Sequence, residues 1–430
     1  MSAATTTARD RFLAMLALVV GGEMIFSLPF HLPRYFRPSV LETLGLSNAQ
    51  LGDVFAVYGV TAMLAYFPGG ALADRCDARR LMALSLAATA AGGLYLATLP
   101  GPRGLAALYG YWGLTTILLF WAAMIRATRE WGGDSAQGRA FGTLDGGRGL
   151  AAAAVASLAV AGFAWLLPSG DAGIDGGDRA RAMQAVIVFY AAVTALAAIM
   201  VLRWLPVTLP RPVAAAPPTA LRGVLGRPLV WLQALIVVCA YCGYKGLDNY
   251  ALYAYDVLGM SETKSAAFTA SSAYIRPLAA IVAGLVADRI GAGRAIGGLF
   301  GVLMLSYALL ATLDATPAFI AIVYANLIVT YAAVFALRGV YFALLEETRV
   351  PAAMTGSAVG LVSVVGFTPD IFFAPIAGRL LDAAPGMDGH QHYFLLLSGI
   401  AVVGFAAAGL LSAIVHRQVR AVTRATRGTT

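Results

Sequence analysis

The feature that most constrains this chain is a repeat that relates its two halves. Asp74-Arg75 recurs as Asp288-Arg289, 214 residues further on in a chain of 430. The same offset relates Leu44-Gly45-Leu46-Ser47 to Leu258-Gly259-Met260-Ser261, without a gap between these matches. A fixed period of half the length indicates two copies of one structural unit.

The composition indicates that both copies lie in a membrane. Hydrophobic residues make up 60% of the chain and charged residues 12%, against roughly 25% charged in an ordinary soluble domain. The mean hydropathy is +0.77. Runs of about 20 apolar residues are what a hydrocarbon core of about 30 Å requires. In so apolar a chain, paired repeats point to a transporter built from two membrane-embedded halves.

Hydropathy predicts twelve membrane spans, and hence an all-α polytopic membrane protein with two pseudo-symmetric six-helix halves. The spans, numbered 1 to 12 below, cover residues 12–36, 50–73, 81–99, 104–126, 140–167, 182–203, 229–255, 263–287, 295–313, 317–342, 354–381 and 393–415. The predicted domains are an N-terminal half (1–203) and a C-terminal half (229–430). Residues 204–228 between them are rich in Pro and Arg and contain no acid, which is typical of a cytoplasmic linker.

The basic residues predict the orientation. Nineteen of the 30 Lys and Arg residues fall on the side of the N-terminus, seven on the opposite side and four inside spans. The excess predicts that both termini are cytoplasmic, in a multi-pass protein of the plasma membrane, which is the inner membrane in a bacterium. The net charge of +8 is explained by this asymmetry, so no nucleic-acid partner is expected. The expected partners are a small-molecule solute and the lipid bilayer, and the expected state is a monomer.

The loop after span 2 carries a family resemblance. It reads Gly70-Ala71-Leu72-Ala73-Asp74-Arg75-Cys76-Asp77-Ala78-Arg79-Arg80 and resembles the G-x-L-a-D-R-x-G-x-R-R signature of the major facilitator superfamily, which joins helices 2 and 3. The copy from Gly284 to Arg294 stands where that family places its second version, between helices 8 and 9. The chain departs from the signature at Asp77, where the family usually has Gly. The resemblance implies the major facilitator fold over the whole chain.

In that family the loop is thought to stabilise one access state. The resemblance therefore implies a conformational latch, and basic residues near the inner end of span 4 are expected to serve it. The alternative is ordinary positive-inside charge, although such charge needs no Asp. The predicted latch residues are Gly70, Asp74, Arg75, Arg79, Arg80, Arg126, Arg129, Asp288 and Arg289.

A looser likeness is to the organophosphate:anion antiporter branch of the family. The segment from Leu44 to Gly52 is similar to that branch's entry to helix 2, and Tyr244-Lys245-Gly246-Leu247-Asp248 is similar to its helix 7. The branch holds phosphate with one basic residue on helix 1 and another on helix 7. In this chain the helix 7 base is Lys rather than Arg.

Ionisable residues inside spans are the candidates for solute binding, because even lenient insertion scales put a charged group at a cost of about 2.5–3.5 kcal/mol. The repeat relates His31 to Lys245 and Arg34 to Asp248, and a spacing of three places each pair on one helix face. Arg34 could instead extend to the outer surface. Nearby tyrosines suit an anionic, hydroxylated or amphipathic solute, although tyrosines at span ends also form interfacial belts. The predicted binding residues are His31, Arg34, Tyr241, Tyr244, Lys245, Asp248, Tyr274, Arg276 and Arg338.

Three intramembrane acids are the candidates for proton coupling: Glu23, Asp145 and Asp370. Glu23 has no basic neighbour within a turn, so it is either protonated or paired across helices. Asp145 and Arg148 are three residues apart in span 5, where they form either a local structural bridge or a solute contact. Glycines 142, 146, 147 and 149 around them predict tight helix packing.

These observations favour a secondary active transporter, a symporter or antiporter, that moves a small organic anion by alternating access, coupled to protons or exchange. The first alternative is a proton-coupled exporter of cationic or amphipathic drugs. An alternative of another class is a receptor or sensor, which would need a soluble domain that neither terminus is long enough to supply. The sequence holds no phosphate-binding G-x-x-x-x-G-K-[ST] motif, and its four His do not have metal-ligand spacing. We therefore expect no ATPase or other enzyme, no cofactor and no metal.

Overall fold

The structure, a computed structural model, describes residues 7–133, 136–167, 175–207, 223–344 and 355–427. All regular secondary structure within these ranges is helical, as the all-α prediction requires. Most of the linker predicted at 204–228 lies outside the described residues, while Trp204 belongs to the last turn of span 6.

Each predicted span coincides with a helix. Within the described ranges, ten helices are long and apolar enough to cross a membrane, or eleven if the bent pair at span 1 counts as one crossing. The remaining predicted crossing, span 3, corresponds to Ala78–Leu96, a helix of 19 residues. Helices of this length extend about 28 Å at 1.5 Å per residue. The fold is thus a polytopic helical bundle in which every predicted span is a helix.

The first repeat contains six spans, of which spans 1 and 4 are divided. Its helices are Ala8–Met24, Ser27–His31 and Leu32–Tyr35 (span 1), Arg37–Leu44 (a connecting helix), Asn48–Arg75 (span 2), Ala78–Leu96 (span 3), Pro102–Gly113, Leu114–Trp121 and Ala122–Gly132 (span 4), Gln137–Leu166 (span 5) and Gly176–Trp204 (span 6).

The second repeat follows the same plan. Its helices are Pro228–Gly246, Leu247–Asn249 and Tyr250–Asp256 (span 7), Glu262–Ser272 and Ile275–Ile290 (span 8), Ala292–Thr312 (span 9), Ile320–Val340 and Tyr341–Ala343 (span 10), Thr355–Gly366 and Pro369–Ala383 (span 11) and Met387–Arg427 (span 12).

The repeated Leu-Gly-x-Ser motif sets the same backbone in both copies. Gly45 and Gly259 have φ values of 60° and 64°, in the left-handed region where a residue without Cβ is favoured. Ser47 and Ser261 then cap the next helix, because each hydroxyl accepts a hydrogen bond from the amide three residues on. Substituting a cap of this kind by Ala typically costs about 1 kcal/mol. The repeat seen in the sequence therefore encodes one loop-and-cap structure used twice.

Span 1 is bent by 41° at the break between Met24 and Ser27. The bend leads into a π-helical turn at Ser27–His31, where the amide of Leu32 bonds to the carbonyl of Ser27. Pro33 has no N–H to offer to the carbonyl of Pro29 one turn earlier. The Tyr109 hydroxyl donates to that carbonyl instead, at 2.9 Å. The buried backbone of the bend is thereby satisfied by span 4.

By contacts the chain forms two compact units. The first comprises Met1–Ala214, Asp248–Pro277 and Asp370–Asp382, and the second comprises Ala215–Leu247, Leu278–Pro369 and Ala383–Thr430. The first unit therefore includes the end of span 7, the start of span 8 and the end of span 11, all from the C-terminal repeat. The domain boundaries predicted at 203 and 229 remain a prediction.

Within the first unit, span 2 packs against span 11 at backbone distance. A Cβ on Gly52 would meet the carbonyl of Ala374, and one on Gly59 would lie 2.5 Å from the carbonyl of Asp370. From the other side, a Cβ on Gly378 would meet the carbonyl of Asn48. Small residues permit this approach, which in a membrane supplies dispersion contacts.

Only some of the glycines singled out in the sequence pack closely against another helix. A Cβ on Gly70 would have no atom within 4 Å, whereas its neighbour Gly69 faces the backbone of span 4 at 3.1 Å from the carbonyl of Leu118. In span 5, Gly142 and Gly146 also face open space. Tight packing there is limited to Gly147, against Val19, and Gly149, against Arg276.

Candidate functional site

The centre of the candidate site is Glu23, at the end of the first helix of span 1. Its residue surface is 2% exposed. Its carboxylate accepts from the Arg148 guanidinium at 2.9 Å and from the Arg276 guanidinium at 3.1 Å. His31 Nε2 lies 3.4 Å from the same carboxylate. Of the two states that the sequence allowed for Glu23, the structure shows pairing across helices.

Arg276 extends this cluster to a second carboxylate. While one of its terminal nitrogens reaches Glu23, the other donates to Asp145 at 2.7 Å. The side chain of Asp145 is 43% exposed, whereas that of Arg276 is 7% exposed. The hydrogen bonds of Asp145 and Arg148 described here thus lead to spans 8 and 1. The two residues therefore belong to an interhelical network.

A second buried ion pair joins two residues that the repeat makes equivalent. Arg34 Nε donates to Asp248 Oδ1 at 2.6 Å, and both side chains are almost fully buried. Arg34 therefore does not extend to the outer surface, which was the alternative expectation. A buried pair holds together because removal of either partner would leave an uncompensated charge. The sequence predicted both residues for the site, but it did not predict that they pair with each other.

The second unit holds the aromatic part of the predicted site. The Arg338 guanidinium carbon lies 4.0 Å from the centroid of the Tyr244 ring, a cation–π geometry. Tyr241 stacks on Tyr244 at 5.8 Å between centroids and meets Phe367 edge-on at 4.9 Å. Lys245, in the last turn of Pro228–Gly246, is 3% exposed. This unit thus contains a buried lysine and a partly buried stack of Arg338 on Tyr244.

The last two predicted residues lie outside the Glu23 cluster. Tyr274 is half exposed and its hydroxyl lies 3.2 Å from Ser157 Oγ. Asp370 is partly buried in the first turn of Pro369–Ala383. Its backbone carbonyl is the atom that faces Gly59, so this residue contributes to the contact between spans 2 and 11.

In the predicted latch, Arg126 makes the contacts. Its Nη1 donates to the carbonyls of Ala73 at 2.5 Å, Cys76 at 3.3 Å and Asp74 at 3.4 Å, and its Nε donates to Glu130. These carbonyls belong to the C-terminal end of span 2, where backbone acceptors lack helical partners. A guanidinium there also complements the negative end of the helix dipole.

Asp77 and the predicted latch residues other than Arg126 have different surroundings. Asp77, the position where the chain departs from the family signature, caps span 3 by accepting from the amide of Arg79. Its carboxylate also lies 3.7 Å from the Arg79 and 3.8 Å from the Arg80 guanidinium. Arg75, Arg129, Asp288 and Arg289 are exposed, and Asp74 is partly buried.

Sequence reasoning missed a polar cluster at the start of span 8. Glu262 is buried and accepts from Ser39 at 2.5 Å and from Arg179 at 2.8 Å. Sequence reasoning also missed two polar contacts between spans 2 and 11. Asp382 accepts from the amides of Asn48 and Ala49, and Arg379 pairs with Asp53 at 2.8 Å. No spacing in the sequence connects these residues, because the contacts join segments more than 80 positions apart.

The arrangement places buried arginines and buried acids in direct contact. Across the described ranges, no three His, Cys, Asp or Glu side chains are grouped to hold a metal ion. The buried Arg side chains present N–H donors in a planar fork that matches carboxylate and phosphate groups. A helical bundle with repeats and buried, mutually neutralising charges is typical of membrane transporters.

The comparisons with known proteins agree with this class. The family model of the major facilitator superfamily matches residues 13–375, and the chain belongs to that family. Two relatives from Escherichia coli strain K12 are described as inner membrane proteins. YihN is 27% identical over 405 residues, which cover 92% of this chain and 93% of the relative. YqcE is 24% identical over 406 residues, 92% of each chain.

Solved structures support the same fold. A bacterial homologue of the human lysosomal transporter Spinster, in an inward-facing conformation, matches with a TM-score of 0.73 and 15% identity, over 96% of this chain and 98% of its own. The nucleoside transporter NupG matches with a TM-score of 0.67 and 16% identity, over 95% and 99% of the two chains. The chain is therefore a multi-pass membrane transporter of the major facilitator superfamily.

Proposed function

We propose that this transporter moves a small organic anion by alternating access, and that Glu23 couples the movement to protons. The observation that carries the proposal is the contact of one buried carboxylate with two guanidinium groups, Arg148 at 2.9 Å and Arg276 at 3.1 Å. Asp145, which also pairs with Arg276, supplies a second carboxylate, so two acids balance two arginines when the site is empty. An anionic solute can compete with Glu23 for either guanidinium.

The competition supplies a coupling mechanism. When a solute carboxylate or phosphate binds Arg276 or Arg148, that guanidinium no longer contacts Glu23. With less positive charge nearby, Glu23 binds a proton more readily. The solute then enters together with a proton, and the buried site keeps its charge balance. The same exchange without a proton describes an antiporter, in which a second anion replaces the first.

The experiment uses purified protein in liposomes with an imposed pH gradient. Libraries of organic anions and organic cations are first compared by thermal shift, because a ligand that binds only the folded state raises its stability. Uptake and exchange of each stabilising solute are then measured. We expect anions to stabilise and to be transported, and a protein stabilised only by cations would contradict the proposal.

The coupling role is tested by Glu23→Gln. Glutamine cannot ionise, so we expect the variant to retain solute exchange and to lose uptake driven by the pH gradient. The matched control is Glu42→Gln, because the Glu42 side chain is 67% exposed. If gradient-driven uptake by Glu23→Gln equals that of the native protein, the coupling site lies elsewhere.

The drug-exporter alternative places an organic cation against Glu23, Asp145 and Asp370. In the described structure, Glu23 and Asp145 already accept hydrogen bonds from guanidinium groups. To bind Glu23, a cation would have to displace two arginines, whereas an anion that binds Arg148 would displace Glu23 from one arginine. This difference favours the anion.

The orientation and the oligomeric state belong to the same proposal. We propose that both termini face the cytoplasm and that the transporter acts as a monomer. A cysteine placed at the N-terminus should be labelled by a membrane-impermeant maleimide only after the membrane is opened.

A further inference from the structure

A cavity of about 910 Å³ lies in the first unit, away from the Glu23 cluster, between the first turns of span 1 and the last turns of spans 4 and 6. Its lining combines arginines with tryptophans. The residues that matter here are Arg9, Arg11, Arg203, Trp131 and Trp204.

One wall of the cavity is held in place by reciprocal contacts. The Arg11 guanidinium carbon lies 4.8 Å from the centroid of the Trp131 ring. Arg11 Nη2 donates to the Trp131 carbonyl at 3.1 Å, and Trp131 Nε1 donates to the Arg11 carbonyl at 2.8 Å. A guanidinium that stacks on an aromatic ring still has N–H donors at its edge.

The acids of the cavity already have partners. Asp10 accepts from the amide and hydroxyl of Thr7, which together form a capping box at the start of span 1. Glu130 accepts from Arg126 at 3.0 Å. Arg9 and Arg203 are exposed, and no side chain among the described ranges pairs with either of them. The lining therefore has positive charge to offer to a ligand.

The surroundings place the cavity at the depth of lipid headgroups. Tryptophans are enriched at the boundary between water and hydrocarbon, and Trp131 and Trp204 both line the cavity. Large apolar side chains are exposed on the flanking helices next to it. Phe12 on span 1 is 66% exposed, and Ile199 and Leu202 on span 6 are 62% and 49% exposed. A polar cavity thus borders an apolar, lipid-facing surface.

We propose that this cavity binds the phosphate-bearing headgroup of an anionic phospholipid. Arg9 and Arg203 contact the phosphate, the Arg11–Trp131 wall positions the headgroup, and the acyl chains lie along Phe12, Ile199 and Leu202. Basic pockets between membrane helices are known to hold anionic headgroups. The adjoining apolar surface favours a lipid over a soluble phosphate ester, because a soluble ester would leave that surface unused.

The test is fluorescence quenching of the purified full chain in neutral detergent. Phosphatidylglycerol and phosphatidylcholine with the same brominated acyl chains are titrated separately, since bromine quenches tryptophans that it approaches. We expect phosphatidylglycerol to reach half-maximal quenching at a mole fraction at least about tenfold lower, given the attraction of each base near an anionic surface. Equal quenching by the two lipids would overturn the proposal.

Substitutions test whether the preference for phosphatidylglycerol depends on this cavity. The pair Arg9→Gln with Arg203→Gln should lose the preference for phosphatidylglycerol. Arg103→Gln removes an exposed base at the opposite end of span 4. This variant should keep the preference for phosphatidylglycerol. The pair Arg9→Lys with Arg203→Lys retains both charges and should also keep most of it. A preference that survives in the Gln pair, or disappears in the Lys pair, would contradict the assignment.

A final arm distinguishes the lipid from a free ligand. Glycerol 3-phosphate is added before the brominated phosphatidylglycerol. We expect millimolar glycerol 3-phosphate to leave the quenching unchanged, because it cannot use the apolar surface. If it abolishes the quenching, the cavity takes a soluble phosphate monoester and the lipid proposal is wrong.

Discussion

At the scale of single residues, Arg34 and Asp248 occupy equivalent positions of the two repeats and pair with each other. The two positions are related by the repeat offset and lie 2.6 Å apart at their charged atoms. In two identical copies, equivalent residues would have like charge and would repel. Here the equivalent positions have diverged to opposite charge, so the repeat relation becomes an attraction between spans 1 and 7.

This pairing leads to a prediction on stability. Arg34→Gln should lower the free energy of unfolding by about 3–5 kcal/mol, because Asp248 then remains buried without its partner. The combined variant Arg34→Gln with Asp248→Asn should recover most of the loss, since no unpaired charge remains. Thermal unfolding in detergent provides the measurement.

The exposed pair Arg379–Asp53 serves as the control, because its side chains are 59% and 54% exposed. Arg379→Gln, the counterpart of Arg34→Gln, should leave the unfolding temperature nearly unchanged. Equal effects of the two pairs would show that burial does not set the contribution of the Arg34–Asp248 pair.

Lys245 permits a second prediction at this scale. It is 3% exposed in span 7, so its ammonium group contacts the protein interior and not bulk water. Lys245→Ala should abolish anion uptake while the protein still folds, and Lys245→Arg should retain part of the activity because the charge survives in a different donor geometry. Lys264→Ala, at an exposed position on the first turn of span 8, should transport normally. Uptake in liposomes measures all three, and normal uptake by Lys245→Ala would remove this residue from the site.

The sequence singled out charged residues that the structure buries, but it did not predict their partners. His31, Arg34, Asp248, Glu23 and Arg276 stood out because a charge within a span is costly. Their pairings follow from the rotation and bend of helices from both halves of the chain. Those angles depend on packing over the whole bundle, which no local pattern encodes.

At the scale of elements, the contact between spans 2 and 11 depends on the absence of side chains. A Cβ at Gly59 would lie 2.5 Å from a backbone oxygen of Asp370, which cannot move without its helix. Gly59→Ala should therefore separate the two helices and lower the unfolding temperature by several degrees. The control Gly70→Ala lies on the same helix and faces open space, so it should be neutral or slightly stabilising. Thermal unfolding of the two variants side by side measures the difference.

The end of span 2 gives a prediction for the latch. Arg126→Gln withdraws a guanidinium from three carbonyls at the helix end, so we expect slower transport and faster proteolysis of the loop at Cys76–Asp77. Arg103→Gln, on an exposed position at the other end of span 4, should behave like the native protein. Solute binding in the Arg126 variant should stay within a few-fold. A large loss of binding with unchanged proteolysis would assign Arg126 to the solute site.

At the scale of the whole molecule, we expect alternating access to break contacts within the first unit that join the two repeats. Asp53 and Arg379 belong to different repeats and are accessible, and their charged groups are 2.8 Å apart. A short thiol cross-linker between Asp53→Cys and Arg379→Cys should stop transport, and cleavage of the linker should restore it. Each single cysteine variant, treated in the same way, is the control. Transport at the native rate after complete cross-linking would show that this contact stays closed through the cycle.

Most of the fold was accessible from the sequence, for a physical reason. Crossing a bilayer imposes long apolar helices, and the repeat predicts where their boundaries lie, as Gly45 and Gly259 illustrate. Span 3 shows the limit of this reasoning. Ala and Gly are frequent in Ala78–Leu96, so its hydropathy is modest although its helix is complete. The extra segments of the first unit, from spans 7, 8 and 11, depend on contacts between distant residues and were not predicted.

The π-helical turn in span 1 has a consequence for the angular phase of that helix. In an uninterrupted α-helix, Glu23 and His31 would point in directions roughly 80° apart, since each residue advances by about 100°. The wider turn at Ser27–His31 accommodates one additional residue, so the two side chains differ by only about 20° and reach each other. Span 1 should therefore tolerate the deletion of one residue in this turn better than the insertion of one. A deletion would convert the π-helical turn into an ordinary α-helical turn and leave the directions of His31 and Arg34 nearly unchanged, whereas an insertion would rotate both side chains away from Glu23 and from Asp248.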